Sequence, residues 1–136
     1  MAWRCRISTR VAAFAGALLL GACVQQQAVS CAGPLRPALE VDLYFGRGNV
    51  SDAEWATFLA TEVTPRFCEG LSVADVAGQW RDPSGKIGRE NSKLLILIVF
   101  DPQAHAPKVD AVVAAYKQRF AQQSVLRVEK AVCAAG

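Results

Sequence analysis

Between Leu71 and Phe100 the chain has little conformational choice. Two long runs of strand-forming residues, Leu71 to Asp82 and Lys86 to Phe100, meet at Asp82-Pro83-Ser84-Gly85. Asp first, Pro second and Gly fourth is the signature of a type I turn, and Gly85 can take the left-handed conformation that closes a bulged hairpin. In the register that turn sets, Asp82 faces Lys86, Gln79 faces Arg89 and Asp75 faces Lys93. A slip of one residue would destroy all three pairings. From Leu94 to Phe100 both alternating sets of residues are apolar, which predicts a central strand covered on both sides.

The flanking segments supply the other elements. Leu39, Val41, Leu43 and Phe45 alternate with Glu40, Asp42 and Tyr44, a half-buried strand ended by Gly46. Ser51 and Glu54 form a capping box, with Val50 and Trp55 as its hydrophobic staple, so a helix starts at Ser51. Trp55, Phe58, Leu59 and Val63 share its apolar face, which makes Trp55 a core residue, and Pro65 bounds the helix. After a loop containing Asp101-Pro102 and Pro107, the residues Val109, Val112, Val113, Tyr116 and Phe120 recur at spacings of three and four and mark a second amphipathic helix. A last strand holds Leu126 and Val128 on one side and Arg127 and Glu129 on the other. The order strand, helix, strand, strand, helix, strand predicts an α+β domain of ferredoxin-like βαββαβ type. Its four-stranded antiparallel sheet carries two helices on one face.

The formal net charge of +3 misleads until its location is read. Arg4, Arg6 and Arg10 precede an apolar run, Val11 to Leu20, in the manner of a secretion signal. Setting these three aside brings the 15 basic residues down to 12, equal to the 12 acidic ones. A near-neutral domain of this kind is expected to bind neither nucleic acid by phosphate neutralisation nor a membrane surface by a basic patch. Leu20-Gly21-Ala22-Cys23 resembles the lipobox of bacterial lipoproteins, with Cys23 as the residue to be lipidated. A transmembrane anchor needs about 20 apolar residues, more than this run offers. An ordinary cleaved signal, cut after Ala28-Val29-Ser30, would leave the polar stretch Val24 to Gln27 before the cut. The organisation expected is therefore a lipoprotein signal peptide over 1–22, a flexible tether over 23–37 and one α+β domain over 38–136. Val24 after the Cys resembles the pattern of lipoproteins sent to the outer membrane, so the expected location is the periplasmic face of that membrane, reached through acyl chains on Cys23.

Three further cysteines, Cys31, Cys68 and Cys133, would then lie in an oxidising compartment, where they allow one bridge and one leftover thiol. Spacing does not choose the pair. In a ferredoxin-like sheet the first and last strands are antiparallel neighbours, so Cys31 and Cys133 come to the same end and form the candidate disulfide. No two cysteines have metal-ligand spacing and the chain holds a single histidine, His105; neither a metal nor a cofactor is expected.

Several short words, Leu43-Tyr44-Phe45-Gly46, Val50-Ser51-Asp52-Ala53-Glu54-Trp55, Val63-Thr64-Pro65-Arg66-Phe67 and above all Gly78-Gln79-Trp80-Arg81-Asp82-Pro83-Ser84-Gly85, resemble a family of small bacterial secreted proteins and lipoproteins labelled domain of unknown function 3574. The stretches Arg89-Glu90, Ser92-Lys93 and Ala115 to Val128 fit the same family, and the resemblance runs from Leu39 to about Cys133. It implies a compact α+β domain in the envelope and brings no catalytic residue with it.

The residues themselves point to binding rather than turnover. A Ser-His-Asp or Cys-His arrangement needs an imidazole beside the nucleophile, and His105 is expected in a Pro-flanked, solvated loop. Gly46-Arg47-Gly48 lacks the pattern of a phosphate cradle. What remains is the sheet face without helices. On the first strand it should present Glu40, Asp42 and Tyr44, and on the last Arg127 and Glu129. In the hairpin the more apolar set (Val76, Trp80, Leu94, Ile96, Ile98 and Phe100) is expected in the core. That leaves Asp75, Gln79, Arg81, Arg89, Asn91 and Lys93 outside, around a stripe of Leu95, Leu97 and Val99. Tyr44, Gln79, Arg81, Lys93 and Arg127 are thus the candidate ligand or partner face, and a second copy of the chain packed sheet to sheet is the candidate cover. The expected function is an envelope lipoprotein with a small non-catalytic domain that binds a ligand or a partner protein. The alternative is a cofactor-free enzyme resembling the dimeric ferredoxin-like barrels, since the scaffold hosts both.

Overall fold

The computed structural model describes residues 29–136 apart from Asp82; the signal segment and Cys23 lie outside the described residues. Strand β1 (Arg36–Gly46) leads to helix α1 (Asp52–Phe58), which continues as a π-helical turn over Leu59–Val63. The hairpin strands β2 (Ser72–Arg81) and β3 (Ile87–Val99), helix α2 (Pro102–Arg119) and strand β4 (Leu126–Ala134) follow. The strands lie in the order β2-β3-β1-β4, and every neighbouring pair is antiparallel. This is the ferredoxin-like arrangement.

Local chemistry sets the element ends. Ser51 Oγ accepts from the Glu54 N–H at 3.3 Å and the Glu54 carboxylate accepts from the Ser51 N–H at 2.9 Å, so the capping box satisfies donors that α1 would otherwise leave open. The π turn then matters for packing. Phe58 and Val63 are five residues apart, a spacing an α-helix would rotate off its inner face, and the widened turn, in which the Thr64 N–H donates to Leu59 O at 2.9 Å, brings both to full burial. Gly85 has φ +87°, and the hairpin register sets Gln79 against Arg89 and Asp75 against Lys93.

An aromatic cluster fills the space between sheet and helices. Phe45 lies 4.6 Å from Tyr116 and 5.3 Å from Trp55, ring centre to ring centre, and Phe58 lies 5.1 Å from Tyr116. The Tyr116 hydroxyl donates to Gly46 O at 2.9 Å. Burial pushes its pKa up to about 12, because the phenolate would be poorly solvated there.

The hairpin faces the other way from the expectation. Residues directly opposite on antiparallel strands share a face, and β3 sets Val99 against Leu39, Leu97 against Val41 and Leu95 against Leu43. Leu95, Leu97 and Val99 are therefore core, while Trp80, Leu94, Ile96, Ile98 and Phe100 occupy the face without helices. The same rule moves Arg127, opposite Leu43, and Glu129, opposite Val41, to the helix side.

Two further expectations change. Helix α2 begins at Pro102, where the missing N–H costs nothing, with Asp101 as N-cap accepting from the Ala104 N–H at 3.0 Å. Pro107 sits inside that helix, so His105 is helical rather than solvated in a loop. Its side chain is 11% exposed, Nδ1 lies 2.7 Å from Asp101 O, and the ring stacks on Phe67 at 6.0 Å. Strand β1 also starts within the expected tether: Arg36 pairs with Ala134 and Pro37 with Cys133. Cys31 and Cys133 are disulfide-bonded, with Cα atoms 5.6 Å apart, and Cys68 is free and exposed.

Candidate recognition surface

Among the described residues both helices lie on one side of the sheet, and the other face is open. β3 contributes Leu94, Ile96 and Ile98 with Phe100 just beyond, β2 Val76 and Trp80, β1 Glu40, Asp42 and Tyr44, and β4 Leu126, Val128 and Lys130. The face is largely apolar, and its outermost groups are strongly exposed: Leu126 61%, Trp80 56%, Ile98 42% and Phe100 39%. Single exposed apolar residues are ordinary, whereas a contiguous set on one face marks a contact surface.

A charged triad is set into this apolar surface. Lys130 Nζ bridges Glu40 Oε1 at 2.9 Å and Asp42 Oδ2 at 2.8 Å, and the two carboxylates, Asp42 first, hold the ammonium pKa well above its usual value. Asp42 is only 4% exposed, and its Oδ1 has no hydrogen-bond partner among the described residues. Such a group is normally paired, so Lys130 carries the burden of keeping a carboxylate beneath an apolar surface.

The face is concave at both ends. At the end near the disulfide, a hollow of about 490 Å³ is lined by Arg36, Leu71, Ile96, Ile98 and Phe100, with the Arg36 guanidinium 4.3 Å above the Phe100 ring. At the far end, Tyr44, Gly46, Trp80, Glu90, Ser92 and Leu126 enclose a hollow of about 550 Å³ together with the α2–β4 connection.

Of the five residues expected to form one binding face, only Tyr44 lies on this one. Gln79, Arg81, Lys93 and Arg127 belong to the opposite side of the sheet, as their partners show. Lys93, 9% exposed, binds Asp75 at 2.5 Å and Asp52 at 3.4 Å, and the Asp75 carboxylate above all raises its pKa. Arg127 pairs with Asp110 on α2 at 2.8 Å and with Glu129. These ion pairs tie the sheet to its helices. Residue-by-residue reading missed Lys130, although its parity with Leu126 and Val128 already placed it beside Glu40 and Asp42. Among the described residues no three His, Cys, Asp or Glu side chains gather to hold a metal ion.

Comparison with known proteins agrees with this architecture. The pattern of a family described as protein of unknown function (DUF3574) matches residues 40–135. The chain belongs to that family. No curated protein matches it in sequence. Among solved structures, a phage SAM lyase in complex with S-methyl-5'-thioadenosine is similar over 81% of this chain and 96% of its own, at 16% identity and a TM-score of 0.54. CutA from Synechococcus elongatus is similar over 71% of this chain and 80% of its own, at 12% identity and a TM-score of 0.48. At 16% identity the likeness to the SAM lyase is one of fold.

Proposed function

We propose that this member of the DUF3574 family is an envelope lipoprotein, anchored through acyl chains on Cys23, whose domain is a non-catalytic binding module with the helix-free sheet face as its recognition surface. The observation that carries the reading is the apolar band of half-buried Leu94, Ile96 and Val128 with exposed Ile98, set around a buried Asp42. Left wet, such a band forfeits about 25 cal/mol for each Å² that a partner would cover.

The cover that fits best is a second copy, packed sheet against sheet. Four strands about 4.8 Å apart, paired over nine residues at about 3.3 Å each, present a footprint on the order of 400 Å² per copy. Two such footprints come to roughly 800 Å², the scale of a weak, concentration-dependent contact. Anchoring both copies in one membrane raises their effective concentration, which is what a contact of that size needs. An interface made of the same residues on both sides is also closed, because a two-fold axis leaves neither band free.

Two measurements test the proposal. Metabolic labelling with a fatty acid should mark the wild-type chain and not Cys23→Ser; equal labelling of both would remove the anchor. Methyl NMR spectra recorded over a concentration series should shift Leu94, Ile96, Ile98 and Val128 and leave the core methyls of Leu95 and Leu97 in place. Spectra that do not change with concentration would remove self-association.

A further inference from the structure

The far end of the helix-free face carries a feature that lies beyond the apolar band of Leu94, Ile96, Ile98 and Val128. Trp80 on β2 lies across Gly88, its partner on β3, so closely that a β-carbon at 88 would stand 2.8 Å from the indole Cε2. One strand further in, the Glu90 carboxylate lies over Gly46 in the same way: a β-carbon at 46 would stand 2.5 Å from Oε1. Two glycines thus make room for a tryptophan and a carboxylate that line one hollow of about 550 Å³, with Tyr44, Ser92 and Leu126 completing it. That volume is within the usual range of small-molecule sites, roughly 300 to 1,000 Å³.

Glu90 has no hydrogen bond and no ion pair among the described residues, whereas the other two carboxylates of the face, Glu40 and Asp42, are both bound to Lys130. An unpaired carboxylate beside an exposed indole and a phenol is the chemistry that attracts an organic cation. The ring faces draw the positive charge, and the apolar walls take its alkyl groups. A primary or quaternary ammonium also fits the size of the hollow, which a bare metal ion would not fill.

We infer that the hollow between Trp80 and Leu126 binds an organic ammonium ion, with Glu90 as counter-ion and Trp80 and Tyr44 as its aromatic walls. The inference rests on the reading of this face as a recognition surface, and it names a ligand class for one end of it. Strand β1 spans 11 residues from Arg36, beside the disulfide, to Gly46, and its ten steps cover about 33 Å at strand rise. The hollow is therefore at the opposite end of the domain from Cys31, the side from which the chain leads back in sequence to the proposed anchor at Cys23, which favours a soluble ammonium ion over a headgroup of the anchoring membrane.

The test is a titration of the full mature lipoprotein in maltoside detergent with choline, followed by tryptophan fluorescence. The control is 3,3-dimethylbutan-1-ol, the neutral isostere of choline. The expected result is a saturable change with choline and none with the alcohol, weakened about tenfold in Glu90→Gln and likewise in Gly46→Ala, where the new methyl displaces the carboxylate. Glu90→Gln is isosteric and stands alone if Gly46→Ala does not fold. No saturable change into the tens of millimolar, an equal response to the alcohol, or unchanged binding by Glu90→Gln would overturn the inference. A choline response that disappears in phosphatidylcholine nanodiscs would uphold the ammonium chemistry and overturn the soluble source. Choline binding that survives in Ile98→Lys, a variant at the other end of the face, separates this inference from self-association, so that either can fail without the other.

Discussion

Val41 on β1 and Leu97 on β3 stand directly opposite one another, and each is 1% exposed. That single pairing decides which side of the hairpin is core. It predicts opposite outcomes for two neighbouring substitutions. Leu97→Asp puts a charge among buried apolar side chains and should cost more than about 3 kcal/mol, enough to unfold most of the population. Ile98→Lys, at a position 42% exposed and opposite Glu40, should keep the fold with little change. Urea denaturation followed by far-UV circular dichroism distinguishes them; equal stability would mean that the faces are assigned the wrong way round.

Tyr116 gives the domain an alkaline limit. Burial raises its pKa from 10.0 to about 12, so the folded state favours the neutral phenol. The stabilisation is fully present below about pH 10 and is lost as pH rises through about 12. Tyr116→Phe removes the hydroxyl that donates to Gly46 O and should cost about 1 kcal/mol at neutral pH. It should also flatten the loss of stability between pH 10 and 12, and an unchanged alkaline profile in the variant would refute this assignment.

The Cys31–Cys133 bridge closes a loop with a sequence separation of 102. Loop-closure entropy for about 100 residues predicts a contribution of roughly 4 to 5 kcal/mol, drawn mainly from the unfolded state. Cys133→Ser should therefore lower the urea midpoint while preserving the circular dichroism spectrum of the survivors. Peptide mapping without reductant that recovers Cys68 in the bridge would contradict the pairing.

Lys130 is the partner on which Asp42 depends. Lys130→Met leaves a carboxylate that is 4% exposed without its ammonium, so this variant should be less stable than Asp42→Asn/Lys130→Met, in which the charge is gone as well. The two urea midpoints give the order. A double variant less stable than the single one would show that the triad is not held together by charge.

How much of this was legible in the sequence follows from how local each signal is. The Asp82-Pro83-Ser84-Gly85 turn carries the hairpin register within itself, and the Ser51–Glu54 box carries the start of α1, so both could be read from neighbouring residues. The facing of β3 could not, because both its parities are apolar and the choice is made by Leu39, Val41 and Leu43 on a strand some fifty residues away. Choosing the more apolar set puts Leu97 outside and Trp80 inside, and the expected face inherits the error at Gln79, Arg81 and Lys93. His105 was misplaced because Pro107 argues against a helix, while Asp101 as a cap and Pro102 at the first helical position argue for one, and the cap prevailed. Lys130 was within reach, since parity with Val128 places it on the face; its bridge to Glu40 and Asp42 depends on the β1–β4 register.

The helix-free face is the centre of the proposed function, and sedimentation equilibrium on a secreted Cys23→Ser form with a cleavable signal tests it most directly. The apolar band predicts a monomer–dimer equilibrium for the wild-type domain that rises with concentration, and a folded monomer for Ile98→Lys under the same conditions. A wild-type domain that remains monomeric at the highest attainable concentration, indistinguishable from Ile98→Lys, would contradict it.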